Sequence, residues 1–101
     1  MKIELYNEFI DFMIKSMSMK GTVPPKKLRE LGIQLQTIGL KMVIVSPDIV
    51  VEKFITWRAL TQGGPDPEGV FKAFADLLIE MRKEIYGNTE RTSGDVLDIL
   101  S

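Results

Sequence analysis

Asp76, Glu80 and Glu84 recur at every fourth position, so on a helix their carboxylates line one face. Such a stripe has the residue type for a metal site or for a paired general acid and base. Glu52 offers a further carboxylate from an adjacent predicted helix. Carboxylate metal sites in helical bundles use Glu-x-x-His pairs from facing helices, and the chain holds no histidine. It holds no cysteine either, which removes the thiolate nucleophile and the soft zinc ligand. The stripe therefore reads as a solvated helix face. The expectation is a non-enzyme with no cofactor and no metal, and an enzyme working through carboxylates alone is the weakest reading.

Lys26, Lys27 and Arg29 are the one basic cluster. They open a predicted helix, whose N-terminal dipole end repels cations, and no aromatic side chain interleaves them as a stacking platform. A small nucleic-acid-associated regulator built on these three residues is kept as the alternative function. Trp57 sits on an inward stripe and reads as core. Arg58 and Arg82 flank inward positions, and each has the reach to lay its stem on apolar surface and pair with an acid such as Glu52 or Glu80. An acidic partner is the functional version of that arrangement.

The chain has 101 residues, 45% of them hydrophobic and 27% charged, as a globular protein does, and a single domain spanning 1–101 is expected. A formal charge of −1 gives no general attraction to phosphate backbones or anionic lipid, so nucleic acid is a poor partner. The longest apolar stretch, from Leu31 to Val51, is broken by Gln34, Gln36, Lys41, Ser46, Pro47 and Asp48, so it is no bilayer span. No basic segment followed by an apolar one opens the chain, so no signal peptide is visible. A cytoplasmic location follows as the expectation, and a cysteine-free chain is at home in a reducing compartment.

Helix signals divide the chain. Ile3 to Met19 carries one apolar stripe of Leu5, Phe9 and Phe12 and an adjacent one of Tyr6, Ile10, Met13 and Met17, so contact from two sides is expected. Acids in its first half and Lys15 and Lys20 at its end suit the macrodipole, and Gly21 supplies a stop. A second helix starts at Pro24 or Pro25 and turns Leu28, Leu31, Leu35, Ile38, Met42 and Val45 inward. Gly32 and Gly39 fall on nearly one line of it, which suggests close approach by a neighbouring helix; weakness toward strand near Met42 to Val45 is the other explanation. Ser46-Pro47-Asp48 reads as N-cap, N1 and N2 of a third helix, carrying Val50, Val51, Phe54, Trp57 and Leu60 to Gly63-Gly64. Asp66-Pro67-Glu68 repeats that start for a fourth, with Val70, Phe74, Leu77, Leu78, Met81 and Ile85 inward and Gly87 or Asn88 at its end. Thr92 or Ser93 caps a short fifth helix from Gly94 to Leu100, too short to stand alone in water.

The chain resembles a group of prokaryotic all-helical proteins or domains to which no activity is assigned. Tyr6 and Phe9 match a Tyr-x-x-Phe first helix. Ser46, Asp48, Val50, Val51 and Phe54 match a Ser-Asp-x-Val-Val corner. The run from Leu77 to Gly87 matches a Leu-Leu-x-x-Met-Arg-Lys-Asp-Leu-Gly helix end. Pro47 intrudes in the corner, and Glu84-Ile85-Tyr86 replaces the shorter acid-leucine step. The resemblance implies a helical fold and brings no catalytic residue with it.

The expected architecture is all-α: four main helices in a mostly antiparallel bundle plus a short C-terminal helix. The expected function is a non-catalytic helical protein-protein interaction or oligomerisation module, a homo-oligomer or the partner of another protein. Wide apolar coverage of the first helix, a short terminal helix that must dock and flexible methionines motivate it. The expected interaction surface comprises Tyr6, Phe9, Met13 and Met17, then Arg58 and Arg82, then Val96, Leu97 and Leu100.

Overall fold

A computed structural model describes residues 2–18, 23–64 and 66–101. It is all-α, with five helices and no strand among the described residues. They are α1 (Lys2–Ser18), α2 (Pro25–Val45), α3 (Asp48–Gln62), α4 (Pro67–Tyr86) and α5 (Ser93–Leu100), four main helices followed by a short one. The expected helix end at Met19, the cation at Lys20 and the stop at Gly21 lie outside the described residues. Two compact units divide the chain, 1–45 and 46–101.

Unit 1–45 is a helical hairpin. Glu4 and Glu8 of early α1 lie beside Lys41 and Val45 of late α2, so the two helices run antiparallel. Leu5, Tyr6, Phe9, Phe12 and Met13 are buried from α1, and Leu35, Ile38 and Met42 from α2. Full burial of a side chain of this size contributes about 1.5–3 kcal/mol. The two apolar stripes of α1 are covered unevenly. Phe9 is wholly buried, Ile10 is half-buried and Met17 is exposed. Leu28, expected inward, is exposed in the first turn of α2, where no preceding turn of its own helix shields it. The β-branched end of α2 remains helical through Val45.

Unit 46–101 packs α3 and α5 on α4. Ala73, Phe74, Ala75, Leu77, Ile79 and Met81 are all buried, and at about 100° per residue they encircle most of α4. The helix covered from several sides is thus α4. Val50, Phe54 and Trp57 are the buried face of α3, with the Phe54 and Trp57 rings tilted and 5.7 Å apart.

The two proline corners start their helices differently. At Asp66-Pro67 the side chain of Asp66 caps α4, accepting from the Gly69 amide at 3.1 Å, and Pro67 is the first helical residue as expected. At Ser46-Pro47 the expected frame is off by one. Pro47 is the N-cap and Asp48 opens α3. Proline's restricted φ suits either position, so ψ decides, and Pro47 is extended at ψ 160°. Its carbonyl then accepts from both Val50 and Val51 amides, at 3.0 and 3.2 Å. At the far end of α4, Gly87 adopts φ 82°, a conformation that suits glycine, and its amide closes on the Lys83 carbonyl at 2.7 Å.

Candidate functional site

The carboxylate stripe does not converge on a reaction centre. Asp76 accepts a hydrogen bond from the Ser93 hydroxyl, and Glu80 accepts from Lys83 at 3.1 Å. These groups border a polar hollow of about 390 Å³ together with Lys53, Arg91 and Thr92. Arg91 in turn lies 3.9 Å from the Asp95 carboxylate. Within the hollow, the Glu80 carboxylate is paired with Lys83 and the Asp76 carboxylate is met by a hydroxyl. Among the described residues no three acid side chains come together in the way a metal ion requires.

The two arginines have distinct settings. Arg82 does not reach Glu80. Its Nε donates to the Thr89 hydroxyl at 2.9 Å, and its guanidinium stacks over the Tyr86 ring at 5.0 Å. Thr89 also accepts from the Arg91 amide at 3.1 Å, so Arg82 organises the turn after α4. Arg58 is half-buried on α3. Of the basic cluster, Lys26 and Arg29 are exposed and Lys27 is half-buried, with Glu30 directly after them.

The residues expected to form an interaction surface separate into two classes. Tyr6, Phe9 and Met13 are buried, at 3%, 0% and 7% exposure, so they build the core while the chain keeps this fold. Met17 is open to solvent. Val96, Leu97 and Leu100 are half-buried, and no residue of α5 is fully buried. Leu97 and Leu100 line a groove of about 560 Å³ against Phe71 of α4, with Glu68 and Lys72 beside it. The short helix thus docks on its own unit by one flank, leaving Ile99 outward.

A further run of exposed apolar side chains lies on the outward side of α2. Ile33, Leu40, Val43 and Ile44 are exposed, Ile44 to 83% and Leu40 to 68%. Steps of seven and four place Ile33, Leu40 and Ile44 within about 20° of one line along the helix. That line is opposite the buried side formed by Leu35, Ile38 and Met42. Helix α2 is therefore apolar on two faces, one in the core and one in water. A helix serving only as a wall of a soluble domain keeps its outer face polar. Sequence reasoning followed the stronger inward stripe and passed over this one. Its signal was present in the Ile33, Leu40, Ile44 spacing, but spacing cannot say which of two apolar faces meets the core.

Gly32 does not mediate close helix approach, since a Cβ built there meets nothing within 4 Å. No helix of the described residues is long and apolar enough to cross a membrane. No family model, curated protein sequence or solved structure matches the chain.

Proposed function

We propose that this chain is a non-catalytic helical interaction module of the cytoplasm that docks onto another folded chain through exposed apolar helix surface. The observation that carries the reading is the outward face of α2, where Ile33, Leu40, Val43 and Ile44 stand in water on an otherwise well-packed hairpin. Contiguous exposed apolar surface marks contact sites in soluble proteins. The half-docked α5 and its groove against Phe71 supply further apolar surface in the second unit. A cytoplasmic role fits a fold that draws on no disulfide.

The test is recovery of tagged protein from its native cell, with untagged protein present. A stoichiometric companion, either the untagged copy or a different chain, is expected with the wild type and is lost with Leu40→Glu. Recovery of the tagged chain by itself would refute the reading.

A further inference from the structure

The polar hollow of unit 46–101 holds positive charge that its own ion pairs leave over. Lys53 of α3, Lys83 of α4 and Arg91 of the turn after α4 line it, against the acids Asp76 and Glu80. Lys83 is taken by Glu80 at 3.1 Å. Lys53 is half-buried and enters no ion pair or hydrogen bond among the described residues. The Arg91 side chain reaches only the Asp95 carboxylate, at 3.9 Å through Nε. That carboxylate already accepts from the Thr92 amide at 2.9 Å. Two cations from different elements are thus left to the hollow.

Thr89 adds a hydrogen-bond donor. Its hydroxyl oxygen accepts from Arg82 Nε at 2.9 Å and from the Arg91 amide at 3.1 Å. A threonine hydroxyl has two acceptor lone pairs and one proton, so the proton is what remains to give. Thr92 and Ser93 complete that side of the hollow, at the positive end of the α5 dipole. Free cations, a free hydroxyl proton and a helix dipole all favour an oxyanion with several acceptor oxygens. A phosphate group has that chemistry, and arginine and lysine are its usual charged partners.

The acids constrain the rest of the ligand. Asp76 and Glu80 repel a bare anion but accept hydrogen bonds from hydroxyls, as Asp76 does from Ser93. The hollow, about 390 Å³, lies within the range of small-molecule sites, about 300–1,000 Å³, with room for more than a phosphate ion. A ligand with a phosphate at one end and hydroxyls at the other meets both signs of charge.

We propose that this hollow binds a small hydroxylated phosphate monoester, its phosphate held by Lys53, Arg91 and Thr89 and its hydroxyls by Asp76 and Glu80. The site joins α3 and α4 to the first turn of α5, a helix with no fully buried side chain. Occupancy therefore fastens α5 to its unit. Every residue of the site belongs to unit 46–101, so binding does not depend on the apolar face of α2.

Calorimetric titration of the whole chain with glycerol phosphate, inorganic phosphate and glycerol, at fixed ionic strength, tests this. Glycerol phosphate is expected to bind more tightly than inorganic phosphate, and glycerol far more weakly than either. Lys53→Gln and Arg91→Gln, each checked for unchanged helicity by circular dichroism, are expected to weaken binding at least about tenfold, since each removes a charge-assisted hydrogen bond. Lys26→Gln, in the other unit, should leave it unchanged. Amide hydrogen exchange over residues 93–101 should slow when glycerol phosphate is bound to the wild type. No binding at millimolar concentration overturns the proposal. Phosphate binding that Lys53→Gln and Arg91→Gln both leave unchanged marks an adventitious ion only and overturns it equally. Inorganic phosphate binding as tightly as glycerol phosphate overturns the ligand class, and binding without slowed exchange overturns the fastening of α5.

Discussion

The Ser93 hydroxyl, at the first position of α5, donates to the carboxylate of Asp76, midway along α4. Two residues that lie seventeen apart in the chain are thereby the polar fastening of the terminal helix. Around it, the Asp95 carboxylate accepts from the Thr92 amide at 2.9 Å, holding the first turn of α5 closed. Farther along, Leu97 and Leu100 share the lining of a groove with Phe71, but no side chain of α5 is fully buried. The helix is held by a few contacts, and each one counts.

Ser93→Ala should consequently loosen α5 without melting the rest. A hydrogen bond to a carboxylate that is partly exposed is worth on the order of 1–1.5 kcal/mol, about a tenfold rise in local opening. Amide hydrogen exchange over residues 93–101 measures it. Exchange at the wild-type rate would show that the apolar flank alone holds the helix.

Two glycines inside helices should respond in different ways to alanine. Gly32 has open space where a Cβ would stand, so Gly32→Ala should stabilise by about 0.5–1 kcal/mol through helix propensity. A Cβ at Gly69 overlaps the Asp66 carboxylate, which must turn away and give up its cap. Loss of such a cap costs about 1 kcal/mol, so Gly69→Ala should gain nothing. Thermal denaturation of both variants makes the comparison; equal stabilisation would contradict it.

Phe9 is wholly buried in α1, and Phe9→Ala should cost about 3–5 kcal/mol, a large share of the stability of a small domain. Urea titration followed by circular dichroism reads this directly. A loss under about 1 kcal/mol would place Phe9 outside the core.

Helical periods and stop signals foretold five helices because both are local: a turn of helix is set by neighbours three and four residues away. The starts at Pro25 and Pro67 and the ends at Gly63 and Gly87 were readable for that reason. The Ser46 cap was misplaced by one residue because proline's φ fits two positions and only the realised ψ of Pro47 separates them. Tyr6, Phe9 and Met13 were legible as apolar but not as core, and Ile33, Leu40 and Ile44 were equally apolar yet face water. Hydrophobicity is a property of the side chain, whereas burial depends on which other helix occupies each side. The same limit hid the fate of Asp76, whose acceptor role arose only when the chain brought Ser93 back against α4. Local chemistry makes the rods; packing chooses which greasy faces are left open and which polar groups meet.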